Sequence, residues 1–359
     1  MRFVPSSCLK PGMVTGKNLY GLNNELMLAA GQKLTNVEIL RINYLKFQGI
    51  YIEDKLSEDI EVEDIIDASL KNKAVKSIKD VFEQTKDGRP SKDCHLKETI
   101  EKIIDEIWVK PDVIYNMIDL KVFDDYTYYH SVNVFVLSVI IGISLGLKKD
   151  DLYNLGLGAI LHDIGKVFIP KEIIYKNGKL TQEEFEIMKS HSEKGCMYLR
   201  KNWNVTMEST VGVLTHHEKY NGTGYPYKLK SDKIPEYGKI IAVSDVYDAL
   251  ISDRPYRKAI IPSEAMEYIM GGSGIYFDYE IVSAFFKKVM PFPVGTTVKL
   301  SNGLTGIVAE NYSSNGLRPK IKIISENETE SDCQFNDVYY DLYKDRSLLN
   351  VTIVKSLSM

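Results

Sequence analysis

Apolar residues recur at helical spacing through the middle of the chain. Between residues 96 and 290 they predict a series of helices separated by short polar breaks. The predicted helices span 96–108, 111–120, 126–146, 150–162, 182–199, 206–217, 235–251, 262–270 and 279–290. Helix-start signals agree with this series, since Thr181 precedes an acidic pair and Pro262 opens its own helix. The centre of the chain is therefore predicted to be an all-helical domain.

Both ends of the chain carry other patterns. Residues 1–57 combine short apolar runs and turn signals with one helix over 36–48, which predicts a small α/β domain. Helical spacing over 58–85 predicts a helical connector, which we extend to residue 109. The last predicted domain, 291–359, is a β-rich extension with short strands at 297–300, 306–309, 321–324 and 350–354. The expected fold is thus mostly α, with the main domain over 110–290.

Composition narrows the class of protein. Charged residues make up 26% of the 359 residues and the formal net charge is −4, so binding to a nucleic-acid polymer or an anionic membrane is not expected. The four cysteines lie far apart without a CxxC pair, which favours free thiols in a reducing compartment. The most apolar segment, 132–147, is shorter than the roughly 20 residues of a spanning helix and is predicted to be a buried core helix. No signal peptide is apparent, and a cytoplasmic protein is predicted.

Histidines are concentrated in the central region. Five of the six lie between residues 130 and 217, each on or beside an apolar helix: His130, His162, His191, His216 and His217. Asp163 and Asp245 also stand among apolar residues. Taken singly, each could be a hydrogen-bonded core residue, and His162 with Asp163 could be a paired helix end. Taken together they indicate a metal centre, because a divalent ion satisfies buried imidazoles and carboxylates at once.

The order of these motifs resembles the HD-GYP family of the HD phosphohydrolase superfamily over about residues 110–290. The resemblance lies in the runs His162-Asp163-Ile164-Gly165-Lys166, His191, His216-His217-Glu218 with Gly222-Thr223-Gly224-Tyr225-Pro226, and Asp245-Val246-Tyr247-Asp248-Ala249-Leu250 with Arg254-Pro255-Tyr256-Arg257. It implies an HD-type phosphohydrolase that uses a metal-bridging hydroxide to open cyclic di-GMP to linear pGpG, with a further step to GMP left open.

For the site, the resemblance implies seven metal ligands. One group resembles the four-ligand set of the wider superfamily: His130, His162, Asp163 and Asp245. The second metal would be held by His191, His216 and His217, with Asp163 shared. Such a His-rich site with carboxylates suits iron or manganese. Family members with a third metal use a glutamate one helical turn before the first histidine, where this chain has Tyr126, so two metals are expected.

Other residues are expected to hold the substrate. Lys166 would bind phosphoryl oxygens or help to protonate the leaving ribose oxygen, with an ordinary solvated lysine as the alternative. Arg254 and Arg257 would bind a phosphodiester, with an ion pair to Asp248 or Asp253 as the alternative. The loop residues Gly224, Tyr225 and Pro226 would contact the substrate or a protein partner.

Other functions stay open at this point. A related cyclic dinucleotide such as cyclic GMP-AMP could be the preferred substrate, since the sequence does not choose between purines. A catalytically weak module that binds a nucleotide or a protein partner is an alternative of another class, although such modules usually lose ligand residues. The sequence does not decide between a monomer and a homodimer.

Overall fold

The computed structural model describes residues 1–21, 25–45, 47–89, 94–110, 126–176, 178–252, 259–325 and 338–357. The chain divides into two compact units. The terminal unit combines Met1–Ser69, Asp112–Tyr126 and Val289–Met359, and the central unit combines Leu70–Pro111 and Thr127–Lys288. The domain boundaries drawn from the sequence stay predictions.

The first part of the terminal unit is a small α/β structure. Its elements are β1 (Arg2–Pro5), β2 (Val14–Thr15), β3 (Leu19–Tyr20), β4 (Leu26–Leu28), helix α1 (Asn36–Tyr44) and β5 (Gly49–Glu53). Strands β1, β5 and β2 form one antiparallel sheet in that order, and β3 pairs with β4. The Glu38 side chain accepts the Thr35 N–H at 2.5 Å and fixes the start of α1. Helix α1 then buries Ile42 against Val4, Ile50 and other apolar residues.

The second part of the terminal unit is an antiparallel sheet. Its strands are β6 (Thr297–Leu300), β7 (Thr305–Glu310), β8 (Lys320–Ser325), β9 (Tyr339–Asp341) and β10 (Ile353–Ser356), in the order β10-β6-β7-β8-β9. Neighbouring residues of β7 face opposite ways, so Val308 and Ile307 enter different apolar clusters. Ile307 packs with Phe3, Tyr51 and Val294, so one cluster joins the two parts of this unit.

The central unit is helical, as the sequence predicts. Its helices are α2 (Ala68–Lys86), α3 (Cys94–Trp108), α4 (Tyr126–Ser144), α5 (Lys149–Ile160), α6 (Lys171–Ile174), α7 (Gln182–Lys189), α8 (His191–Asn202), α9 (Met207–Thr215), α10 (Glu236–Leu250), α11 (Pro262–Gly271) and α12 (Tyr279–Lys288). The span Thr127–Ser144 is long and apolar enough to cross a membrane, but 78% of it is buried within the protein. The prediction of a buried core helix there is confirmed.

Two helix predictions were wrong. The segment 58–67 is not helical, because Ile60 and Val62 alternate with acidic residues and enter the apolar cluster of the terminal unit. The helix predicted over 182–199 is broken at Ser190, whose hydroxyl donates to the Ile187 carbonyl at 2.6 Å. His191 therefore begins a helix, α8, instead of lying inside the predicted one. The helix predicted over 111–120 lies outside the described residues.

Candidate metal centre

Three histidines of the central unit lie where a helix ends. His162 follows α5, His191 follows α7 and His216 follows α9. Each Nδ1 lies 2.7–2.8 Å from the carbonyl oxygen three residues earlier, at Ala159, Met188 and Val213. Such last-turn carbonyls lack a helical partner. Because a carbonyl can only accept, Nδ1 must carry the proton, and each Nε2 is left with a free lone pair.

His130 is oriented in another way. Its Nδ1 donates to Asp248 Oδ2 at 2.7 Å, and the other oxygen of Asp248 accepts from Asn133 Nδ2 at 2.9 Å. Both His130 and Asp248 are buried. Burial disfavours the protonated imidazole, but hydrogen bonds to Asp245 and Asp248 outweigh it and raise the pKa of His130. The Nε2 atom of His130 faces Asp245 Oδ1 at 3.2 Å, which is a position for a cation.

The lone pairs of the histidines converge. His191 Nε2 lies 3.2 Å from His217 Nε2 and 3.5 Å from His216 Nε2. Two nitrogens bound at about 2.1 Å to one ion lie roughly 3–3.5 Å apart, so these separations fit a shared ion. The buried Nε2 of His162 has no hydrogen-bond partner among the described residues. Facing lone pairs and an orphaned buried nitrogen are unfavourable without a cation, so the residues fit a metal site.

Asp163 lies between two groups of ligands. Its Oδ2 is 3.4 Å from His162 Nε2, and its Oδ1 is 3.5 Å from His191 Nε2. Burial would raise the pKa of Asp163, but the ammonium of Lys166 at 2.5 Å, together with His162 and His191, outweighs burial and holds that pKa well below its ordinary value. The same balance, with His130 as the main partner, keeps the pKa of Asp245 well below its ordinary value. Two ionised carboxylates therefore face the imidazoles.

The pKa values of the remaining cluster histidines favour metal binding. Burial, with the neighbouring histidines, lowers the pKa of His216 well below its ordinary value and that of His217 to about 3. Burial also lowers the pKa of His191. A histidine binds a metal in its neutral form, so these three side chains need no deprotonation at neutral pH.

Three overlapping groups of side chains each bring their ligand atoms within 4.8 Å of one another. They are His130 with His162 and Asp245, His191 with His216 and His217, and His162 with Asp163 and His216. The C-termini of α5 and α9 also lie at the cluster, and their partial negative charge favours a cation, whereas at His191 the end of α7 meets the start of α8.

The glycine-rich loop lies at the edge of this cluster. The buried Glu218 carboxylate accepts the N–H groups of Tyr227 at 2.7 Å and Leu229 at 3.0 Å, which holds the loop closed. Gly224 contacts the backbone of residues 217–219, and a Cβ there would lie 2.4 Å from Lys219 N, so no larger residue fits. This close approach lets the Tyr225 ring stack on His217, with centroids 4.7 Å apart and planes tilted by 32°.

Close backbone contact also sets the position of His191. A Cβ on Gly165 would lie 1.8 Å from the His191 carbonyl oxygen and 2.6 Å from Gly195 N. The turn that carries Asp163 can approach the start of α8 only because residue 165 is glycine.

The structure brings all seven predicted metal ligands into one cluster and places Lys166 against Asp163. Pro226 follows Tyr225 at the same edge. Arg254, Arg257 and the side chain of Tyr126 lie outside the described residues. Asp248 is a fully buried hydrogen-bond partner of His130. Sequence reasoning missed that role, although Asp248 stands three residues after Asp245, on the same face of α10.

Comparisons with known proteins agree with this geometry. Residues 112–281 match the HD domain family. A cyclic di-GMP phosphodiesterase of Pseudomonas aeruginosa is 34% identical over 256 residues, which cover 71% of this chain and 62% of that protein. A cyclic di-GMP phosphodiesterase of Thermotoga maritima is 37% identical over 195 residues, which cover 52% of this chain and 53% of that protein.

A third relative is named for another cyclic dinucleotide. The 3'3'-cGAMP-specific phosphodiesterase 2 of Vibrio cholerae is 37% identical over 138 residues, which cover 38% of this chain and 26% of that protein. The chain thus spans less than two thirds of the length of each of these relatives. The predicted fold, a helical HD domain with small strand-rich parts at both ends, is confirmed. The chain thus carries a match to the HD domain family over residues 112–281 and is similar to proteins named cyclic di-GMP phosphodiesterases.

Proposed function

We propose that this protein is a metal-dependent phosphodiesterase that hydrolyses cyclic di-GMP to linear pGpG. The observation that carries the proposal is the convergence of five imidazoles and two carboxylates on one buried cluster. The names of the Pseudomonas aeruginosa and Thermotoga maritima relatives support the choice of substrate. Further hydrolysis of pGpG to GMP is compatible with the same site.

We further propose two divalent ions, iron or manganese. One would be held by His130, His162 and Asp245, and the other by His191, His216 and His217, because each trio brings its ligand atoms together. Asp163 would bridge the two ions, since its oxygens face different histidines. Iron and manganese both accept this mixture of imidazole and carboxylate. A third ion lacks a ligand if Tyr126 stands where a carboxylate is needed.

When bound, two such ions activate a water molecule as the nucleophile and neutralise charge on the phosphoryl oxygens. The side chains of the protein would orient the phosphodiester and supply a proton to the leaving oxygen. Formation of pGpG breaks the bond between phosphorus and the ribose 3' oxygen, and that oxygen must gain a proton. The Lys166 ammonium contacts Asp163 at 2.5 Å and its side chain is 33% exposed, so it can reach the phosphodiester from the cluster edge. Lys166 is thus our candidate to donate this proton or to hold a non-bridging oxygen.

Substrate binding would use the loop beside His217. Tyr225 offers an aromatic ring at the cluster edge, and Gly224 and Pro226 fix the backbone around it. Arg254 and Arg257 remain proposed phosphate-binding residues. A protein partner at this loop, a homodimer and a cytoplasmic location also remain parts of the proposal.

A second candidate substrate is another cyclic dinucleotide. The resemblance to a 3'3'-cGAMP-specific phosphodiesterase favours it, because that relative is as similar over its aligned part as the Thermotoga maritima enzyme. Side-by-side turnover of cyclic di-GMP and 3'3'-cGAMP would decide between them.

The decisive experiment is chromatographic product analysis with anaerobically purified protein loaded with iron or manganese. We expect pGpG from the wild type, and loss of both metal and turnover in Asp163→Ala. His95→Ala is the matched control, because His95 is exposed on α3 and belongs to none of the ligand groups. Turnover by Asp163→Ala without bound metal would refute the mechanism. A fully metal-loaded wild type that leaves cyclic di-GMP and 3'3'-cGAMP intact would favour a binding module.

A further inference from the structure

The cluster opens to solvent on one side. The side chain of His217 is 25% exposed, whereas those of His130, His162 and His191 are at most 3% exposed. The ring of Tyr225 covers His217 from the same side. A substrate must therefore approach past His217 and Tyr225.

A lysine lies beside this opening, between two aromatic rings. Lys189 ends α7, and its Nζ is 4.7 Å from the ring centroid of Phe185 and 5.7 Å from that of Tyr225. Both distances are within cation–π range, so the rings hold the ammonium in place. The Lys189 side chain is 26% exposed, and Phe185 is 42% exposed. The cation and one ring face thus remain accessible next to the metal ligands.

Lys189 forms an exposed ion pair that contributes little stability. Glu186 Oε1 lies 2.7 Å from Lys189 Nζ, three residues earlier on the same short helix, and the Glu186 side chain is 57% exposed. Exposed pairs of this kind are screened by solvent and contribute little stability. The hydrogen bond from Lys189 lowers the pKa of Glu186, and the charge of Lys228 adds to the effect. Lys189 and Lys228 are therefore both close enough to Glu186 to act on it, and a phosphate could replace the glutamate at Lys189.

We propose that Lys189 binds the second phosphodiester of a cyclic dinucleotide, the one that is not being hydrolysed, while Phe185 stacks on the adjacent base. The inference rests on the proposed function and names a subsite for it. A cyclic dinucleotide carries two phosphodiesters, and only one can occupy the metal centre at a time. The other keeps a negative charge that needs a partner, and an ammonium makes strong hydrogen bonds to phosphate. Exposed aromatic rings are common stacking platforms for bases.

Three variants test the proposal. Lys189→Gln removes the cation, Glu186→Gln removes its competitor, and Lys201→Gln is the matched control on an exposed lysine at the end of α8. Each is assayed with cyclic di-GMP and with bis(4-nitrophenyl) phosphate, which has a single phosphodiester. Metal content is measured for every sample.

We expect Lys189→Gln to raise KM for cyclic di-GMP on the order of tenfold, as for one lost charge-assisted hydrogen bond. Its turnover of bis(4-nitrophenyl) phosphate and its metal content should stay within about twofold of the wild type. A change of that size is smaller than the change expected from the loss of one charge-assisted hydrogen bond. Glu186→Gln should lower KM for cyclic di-GMP, and Lys201→Gln should change neither substrate. An equal loss on both substrates would instead assign Lys189 a purely structural role and overturn the proposal, as would an unchanged KM.

Failure of the proposed function would be recognised separately. If the wild type hydrolyses bis(4-nitrophenyl) phosphate but not cyclic di-GMP, the same variants are compared for cyclic di-GMP binding by calorimetry. Weaker binding by Lys189→Gln alone would uphold the subsite without the activity. No binding by the wild type, or equal binding by all variants, would reject the subsite.

Discussion

Replacing Asp248 with asparagine tests how the protein orients its metal ligands. Asp248 is buried, and its two oxygens accept separate hydrogen bonds from His130 Nδ1 at 2.7 Å and Asn133 Nδ2 at 2.9 Å. An asparagine has the same shape but only one acceptor oxygen, and its amide group is a donor. Whichever way the amide turns, one of the two donors then faces another donor.

The expected loss of metal affinity in Asp248→Asn follows from these contacts. One hydrogen bond to a buried charged group contributes about 1.5–3 kcal/mol. If His130 is the donor that loses its partner, its Nδ1 proton is no longer fixed and Nε2 is a poorer ligand. Substitution of such histidine partners costs roughly 10- to 100-fold in metal affinity. We therefore expect Asp248→Asn to weaken metal binding by that factor, with turnover largely restored at saturating metal because the ligands themselves remain.

Competition with a chelator measures this loss, with metal content read after each equilibration. Ser252→Ala is the control, since the Ser252 hydroxyl lies 3.4 Å from the same Asp248 oxygen and makes a much weaker contact. We expect the control to retain metal nearly as well as the wild type. Wild-type affinity in Asp248→Asn, or an equal loss in Ser252→Ala, would refute the role of this hydrogen bond.

Three further predictions concern stability. Burial lowers the pKa of His191, His216 and His217. Between pH 6.5 and about 3 the unfolded chain therefore binds more protons than the folded protein. The free energy of unfolding of metal-free protein should therefore fall as the pH drops below 6.5, as urea denaturation would measure; a rise would contradict the assignment. Gly165→Ala should lower Tm by at least several degrees, because overpacking costs about 1–3 kcal/mol or more and the new Cβ would meet backbone atoms. Gly271→Ala, whose Cβ meets nothing within 4 Å, should leave Tm unchanged. Manganese at about 100 times its Kd should add about 2.7 kcal/mol to the free energy of unfolding; an unshifted Tm would contradict specific binding.

Helical periodicity predicted most of the central unit to within a few residues because its helices are amphipathic or fully buried. The failures have local causes. At 58–67 the chain alternates acidic residues with Ile60 and Val62, a period of two that a helical reading overlooks. At Ser190 a side-chain hydroxyl competes for the Ile187 carbonyl, which the apolar pattern around it does not reveal.

The side chains that converge at the candidate site could be predicted because histidines and aspartates among apolar residues are rare enough to stand out, and the family resemblance implied their role as ligands. What orients them could not. The Nδ1 partners of His162, His191 and His216 are backbone carbonyls, which any residue supplies. Lys189 resembles any surface lysine until the fold places it beside Tyr225.

Helix ends and carboxylates around the cluster determine the sign of its electrostatic potential. The C-termini of α5 and α9 and the carboxylates of Asp163 and Asp245 contribute negative charge to the cluster, which favours cations and disfavours phosphate. Bound divalent ions reverse that sign locally, because an ion is the largest charge in such a site. A phosphodiester would therefore be held at the cluster more favourably after the proposed metals bind. Entry of metal and then substrate is the order that this arrangement of charges favours, so metal binding would control when the site accepts a cyclic dinucleotide.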